Sequence, residues 1–207
     1  MTSSATTWRG STMASRAAER REQLVRAGYA LLGGEGAAAT TMRAVCRAAG
    51  LSLRYFYENF ADREALLIEI YDQTAHGLID AVTTRLADAP DDETARTRAA
   101  FDAAAQYFAD DPRRGRIMFR ETLADDTLRA RGADALPAFV TLVAAQLAPM
   151  QAARFTAAPG RIPLPVSAIS GALVALFLDW LDGDVEANRD AVVDYATQLT
   201  ITVLELT

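Results

Sequence analysis

Residues 40–67 read TTMRAVCRAAGLSLRYFYENFADREALL. Thr40 or Thr41 is placed to cap a short helix through Ala48, since a threonine hydroxyl ahead of a helix accepts one of its orphan amides. Gly50 supplies a turn residue that tolerates positive φ. Ser52 is placed to cap a second short helix, Leu53 to Asn59, and Asp62 a third, with Glu64 adding favourable charge to its first turn. Two short helices joined by about four residues that include a glycine form a helix-turn-helix pattern. The third helix runs to about Ala87. Its apolar stripe is Leu66, Leu67, Ile70, Tyr71, Thr74, Leu78 and Val82, and His76 falls on the opposite side.

Outward from this stretch the chain reads as all-α. Residues 1–14 are small, polar and without period, the composition of a flexible tail. Ser15 to about Leu32 has helical spacing through Leu24, Ala27 or Gly28, and Leu31, and Gly33, Gly34 and Gly36 are expected to stop it. Those glycines follow a helix rather than a strand and lack the Lys-Ser/Thr of a phosphate-binding loop. Beyond Ala89-Pro90, Asp91 or Asp92 starts a helix carrying Phe101, Ala104, Ala105 and Phe108 on one face, with Tyr107 at its edge. Asp110-Asp111-Pro112 ends that helix, and a short one follows, about Arg113 to Leu123. The segment from Thr127 to Phe155 is expected to bend near Pro137, and residues 158–165 form a loop. Two final helices, about Val166–Leu181 and Val185–Leu206, flank a turn at Asp182-Gly183-Asp184. The first is apolar nearly all round, with Ile169, Leu173, Leu176, Phe177 and Trp180 on one side and Ala168, Gly171, Ala172 and Ala175 on the other. Such a helix needs cover on every side, and a two-fold bundle of two copies of this helix pair supplies it.

The chain has 207 residues, 51% of them apolar and 23% charged, which suits a packed core and excludes general disorder. One cysteine, Cys46, and one histidine, His76, exclude an intrachain disulfide and a Cys/His metal cluster within the chain; no cofactor and no metal are expected. No apolar run reaches the ~18 residues of a bilayer span, and the N-terminus lacks the layout of a secretory signal, so a cytoplasmic protein without a membrane partner is expected. The net charge of −6 is unevenly spread: residues 1–54 sum to +5 and residues 55–207 to −11, and every basic residue is arginine. A basic head on an acidic body is the asymmetry of a nucleic-acid reader joined to a partner or ligand module.

Gly36-x3-Thr40-Thr41-x3-Val45-Cys46-x2-Ala49-Gly50-Leu51-Ser52-x4-Tyr57-x2-Phe60-x-Asp62-Arg63-Glu64-x-Leu66-Leu67 resembles the N-terminal signature of the tetracycline-repressor-like (TetR) regulators, over about residues 16–70. The helical remainder is similar in architecture only. The resemblance implies a homodimeric DNA-binding repressor released from its operator by a small molecule. Its organisation would be a tail over 1–14, a helix-turn-helix DNA-binding domain over 15–62 and a helical ligand-binding and dimerisation domain over 63–207. The chain departs from the pattern at Arg54 and Tyr55, which are bulkier than the family's usual residues, and at Arg63, where the family usually has lysine.

In a helix-turn-helix the second helix enters the major groove with its N-terminal residues at base edges, here Ser52, Leu53, Arg54 and Tyr55. Arg54 has the donors for a bidentate contact to guanine, and Leu53 the surface for a thymine methyl group. Thr41, Arg43 and Arg63 at helix starts and Asn59 are candidates for phosphate. The resemblance implies a phosphate contact for the Tyr57 hydroxyl and, at Arg43, a position that touches a base in some relatives. It also implies a small buried position for Cys46, an inert packed thiol. Candidates for an effector pocket are Phe101, Tyr107, Phe108, Met118, Phe119, Phe139 and Phe177, with Arg120 and Glu121 as polar neighbours and a largely apolar ligand expected. Two other readings compete: an all-helical enzyme, which lacks a recognisable nucleophile or clustered acid–base groups, and a dimeric interaction protein without DNA binding.

Overall fold

The computed structural model describes the backbone of residues 6–135 and 163–205, and side chains over 15–135 and 163–203. All regular structure among the described residues is helical. The chain divides into two compact units, up to Tyr71 and from Asp72 onward. Pro137, Phe139 and the rest of the expected 127–155 segment beyond residue 135 lie outside the described residues.

The first unit holds α1 (Thr6–Glu35), α2 (Met42–Ala49), α3 (Leu53–Tyr57) and the start of α4 (Arg63–Ala87). Helix α1 begins at Thr6, inside the stretch whose small polar residues suggest a tail; serine and threonine oppose a helix by only a few tenths of a kcal/mol each. It also continues through Gly33 and Gly34. The stop is Gly36 alone, at φ 91°, whose amide donates to the carbonyls of Leu31 and Leu32. Thr41 is the cap of α2, accepting from the amide of Ala44 at 3.2 Å, while the buried Thr40 hydroxyl donates to the carbonyl of Gly36. Gly50, at φ 66°, closes α2. Helix α3 ends at Tyr57, earlier than Asn59. Asp62 caps α4 through the amide of Ala65 at 2.7 Å. Leu24, Leu32, Val45, Phe56, Phe60, Leu66, Leu67 and Ile70 form the core of this unit. A Cβ on Gly28 would lie 2.7 Å from Cδ1 of Ile70, so the glycine lets α1 approach α4 closely. The opening turns of α4 thus belong to this unit, and the division falls at Tyr71 rather than at residue 62.

The second unit continues α4 and adds α5 (Glu93–Asp110), capped by Asp92 through the amide of Ala95 at 2.7 Å. The expected short helix at 113–123 is instead α6 (Pro112–Gly115), a π-helical turn (Arg116–Arg120) and α7 (Glu121–Ala124). Helix α8 begins at 126 and is described to 135; Asp125 accepts from the amides of Thr127 and Leu128. After the gap come α9 (Leu164–Asp182) and α10 (Arg189–Glu205). Helix α10 starts later than its apolar residues suggest. Val185 and Ala187 are held instead by the end of α9: the amide of Val185 donates to the Asp179 carbonyl, and Trp180 Nε1 donates to the Ala187 carbonyl at 3.2 Å. Asn188 then caps α10 through the amide of Ala191. Leu78, Val82, Ala104, Phe108, Phe119, Phe177 and Val193 centre the core, where α10 packs on α5 and α9.

Helix α9 corrects one expectation. Nineteen residues long with a mean hydropathy of 1.8, it has the length and composition of a bilayer span, because serines and glycine interrupt the apolar run without making it polar. Only 22% of it is buried within the protomer. Ile169 and Phe177 face the core, whereas Leu164, Ala168, Gly171 and Ala175 are exposed.

Candidate nucleic-acid interface

Helix α3 has five residues, too few to hold a position by its own hydrogen bonds. Phe56, wholly buried, anchors it, with its ring 5.7 Å from that of Phe60. Arg21 on α1 ties down the segment after it: the guanidinium donates to the Asn59 carbonyl at 2.7 Å, pairs with Glu69 at 3.1 Å and lies 4.3 Å over the Phe60 ring. Nothing in the sequence singles out Arg21 for this, since its partners are 38 and 48 residues away.

With Phe56 turned inward, the outer face presents Ser52, Leu53, Arg54, Tyr55 and Tyr57 to solvent. The Arg54 side chain is 85% exposed and its Nε donates to Glu58 Oε1 at 3.0 Å. Tyr55 is steadied by Arg20 of α1, whose guanidinium carbon lies 4.7 Å over its ring. Tyr57, at 57%, is more open than Leu53 and Tyr55, each at 37%. On α2, Thr41 is exposed with its oxygen on the Ala44 amide, which leaves the hydroxyl proton available. Arg43 and Arg47 are exposed and carry no ion pair or hydrogen bond among the described residues. Arginines, hydroxyls and an amphipathic helix on one unit are the elements of a duplex-reading surface: cations for phosphate, a guanidinium and an apolar side chain for base edges.

Two of the expected phosphate residues have other partners. Arg63, whose side chain is 23% exposed, donates to the carbonyls of Thr40 at 3.0 Å and Ala37 at 2.6 Å and so closes the loop between α1 and α2. Asn59 donates through Nδ2 to the Tyr55 carbonyl at 2.7 Å, satisfying the end of α3. Both are polar residues next to a helix terminus, where a backbone carbonyl competes with any external anion. Cys46 is buried, and that burial pushes its thiol above the ordinary range, the opposite of a reactive thiolate.

In the second unit the aromatic candidates form a packed cluster. Phe108 lies 5.1 Å from Phe119 and 5.7 Å from Phe177, all three buried. Phe101 and Met118 are half-buried around it. Arg120 is exposed and paired with Asp182, and the buried Glu121 pairs with Arg116 at 3.1 Å. Tyr107 donates its hydroxyl to the Thr74 carbonyl at 2.8 Å under the guanidinium of Arg114, and burial raises its pKa. Among the described candidates it alone lines an open groove of about 670 Å³ between α4 and α5, whose other walls include Asp80, Asp88, Asp102 and Arg189. Sequence periodicity could not find this groove, because its walls are the charged residues of two helices that meet only in the fold.

Residues 24–70 match the model of the family described as bacterial regulatory proteins, tetR family. No curated protein matches the chain in sequence. Among solved structures, the fatty acid degradation regulator FadR from Bacillus halodurans superposes with a TM-score of 0.70 at 17% identity, covering 88% of this chain and 94% of that one. FadR from Bacillus subtilis in complex with stearoyl-CoA gives 0.69 at 14% identity, with 87% and 97% covered. A TetR family transcription regulator from Marinobacter aquaeolei VT8 gives 0.65 at 18%, with 91% and 97% covered. At these identities the likeness to the solved structures is one of fold.

Proposed function

We propose that the chain is a regulator of the tetR family, whose model matches residues 24–70, and that it is a homodimeric repressor that reads one DNA operator through α3 and leaves it on binding a small molecule. The observation that carries the DNA-reading role is α3 itself: Phe56 is wholly buried, while Leu53, Arg54, Tyr55 and Tyr57 face solvent beside exposed arginines. Ser52, Leu53, Arg54 and Tyr55 read bases; Thr41, Arg43, Arg47 and Tyr57 hold phosphates. Arg63 and Asn59 act from behind, by fixing the loops that carry those residues. The protein is a regulator rather than an enzyme.

The dimer forms through α9 and α10. Their exposed apolar residues, Leu164, Ala168, Ala175 and Tyr195, are what a second copy would cover, and small residues allow two backbones to approach closely. Two copies then present two α3 helices to half-sites about one helical turn apart, ~34–36 Å, on a near-palindromic site. The effector binds in the second unit, beside Phe101, Tyr107, Met118 and the Phe108–Phe119–Phe177 cluster. The complex of Bacillus subtilis FadR with stearoyl-CoA supports an effector with a long apolar part. Such a ligand releases DNA only if it binds the released state more tightly. A repressor of this kind works in the cytoplasm, where the duplex is.

Selection from a pool of randomised duplexes tests the proposal. Enrichment of one near-palindromic sequence, bound with an affinity that falls steeply with salt, is the expected result. A pool that stays random through successive rounds at low salt contradicts it.

A further inference from the structure

Glu58 is an acid on the surface proposed to face phosphates, and its carboxylate is not left idle there. A guanidinium has five N–H donors, one on Nε and two on each Nη. On α3 the Nε–H of Arg54 is taken by Glu58 at 3.0 Å, and neither Nη has a partner among the described residues. Guanine presents O6 and N7 side by side in the major groove, spaced for two N–H groups of one guanidinium. A carboxylate that occupies Nε leaves the Nη pair for that contact and removes the alternative in which Nε takes part.

Helix stability does not explain the pair. Glu58 lies at the C-cap of α3, where the helix dipole disfavours an anion, and Arg54, in a helix of five residues, stands in the last turn as well as the first and so draws no net support from the dipole. Arginine before glutamate is also the weaker order for an i,i+4 pair. A carboxylate here repels phosphate, so it lowers general affinity for DNA while restricting what Arg54 can touch. We infer that Glu58 is a positioning residue that sets Arg54 for guanine, so that it determines sequence preference at the cost of general DNA affinity. This rests on the DNA-reading role proposed above.

The experiment repeats the randomised-duplex selection with the full-length protein, Arg54→Ala, Glu58→Ala and Glu58→Gln, each checked for unchanged helicity by circular dichroism. Salt titrations on one unrelated duplex accompany it. Arg54→Ala marks the operator position that Arg54 reads, as a loss of guanine preference there of roughly five- to hundredfold. At that same position Glu58→Ala should lose a comparable preference, whereas Glu58→Gln, which keeps an acceptor for Nε, should retain most of it. On the unrelated duplex both Glu58 variants should bind more tightly. With the Ala variant the salt slope should steepen by about 0.9, as the released guanidinium settles on a phosphate.

Full guanine preference in Glu58→Ala overturns the inference, as does an equal loss in Ala and Gln variants, which would assign the effect to charge alone. A change confined to a different operator position also overturns it, because Glu58 would then be reading a base itself. If the wild-type protein enriches no sequence, the DNA-reading proposal has failed rather than this refinement of it.

Discussion

Arg63 reaches back from the start of α4 to two carbonyls of the loop between α1 and α2, so its charge serves the fold before it serves any ligand. Arg63→Ala should destabilise the protein by ~1–3 kcal/mol, the cost of leaving buried carbonyls without a charged donor, as read from urea unfolding. Operator affinity of the folded fraction should stay within a few-fold of wild type; a hundredfold loss at unchanged stability would restore Arg63 to the phosphate contacts. Tyr107 gives a pH signature. Its pKa is raised first by burial, so the folded state holds its proton more tightly than the unfolded chain, where tyrosine titrates near ~10. The stability from that difference is fully present below ~10 and is lost as pH rises toward the folded value. Tyr107→Phe should remove that alkaline loss, seen as a flatter dependence of unfolding midpoint on pH, and a wild-type midpoint that rises across this range would contradict the assignment. At this scale the exposure of side chains such as Arg54 and Tyr57 was legible, because a short motif is enough to place them on the outer side of α3. The sequence was silent on Arg21 and misleading on Arg63 and Asn59, because a carbonyl partner far along the chain leaves no trace in local spacing.

Helix starts were legible wherever the cap is a neighbour. Thr41, Asp62 and Asp92 all accept an amide three residues on; the sequence names Asp62 alone and narrows the other two to adjacent pairs, Thr40 or Thr41 and Asp91 or Asp92. Ser52 has the same position before α3 but makes no cap bond. Thr41→Ala should therefore cost ~0.5–2 kcal/mol, while Ser52→Ala should cost less than ~0.5 kcal/mol, both by chemical denaturation; equal losses would show that Ser52 does cap α3. The π-helical turn at Arg116–Arg120 could not be read in advance. A residue-long irregularity inside a helix answers to packing, and here Gly115 lies so close to Leu181 that there is no room for a Cβ. The late start of α10 has the same kind of cause, in the bonds that Asp179 and Trp180 make to residues 185 and 187.

The net charge of −6 averages a positive head and a negative body. A duplex repels charge of that sign, which is consistent with the proposal that residues 1–54, at +5, lie in the part that approaches DNA. The second feature of the whole molecule is the face of α9 that its own protomer does not cover. Gly171 on that face meets nothing within 4 Å, so a larger side chain there disturbs no contact within the protomer and reports on a partner. Gly171→Glu should give a monomer in sedimentation at concentrations where the wild-type protein is a dimer, with unchanged helicity and a large loss of operator affinity, since each monomer reaches one half-site. Persistence of the dimer would move the interface elsewhere. The all-helical class was legible from periodicity, whereas the proposal of a second copy rests on the apolar residues of α9 that stand exposed, Leu164, Ala168 and Ala175 among them.

The most direct test of the central claim is the ratio of affinities for the selected operator and a scrambled duplex, measured by fluorescence anisotropy at ~0.15 M salt for the wild-type protein and for Arg54→Ala. A reader acting through α3 predicts a wild-type ratio of ~10³ or more and a roughly five- to hundredfold lower ratio in the variant, with binding to the scrambled duplex nearly unchanged. A wild-type ratio near one, or a ratio that survives the loss of Arg54, would contradict it.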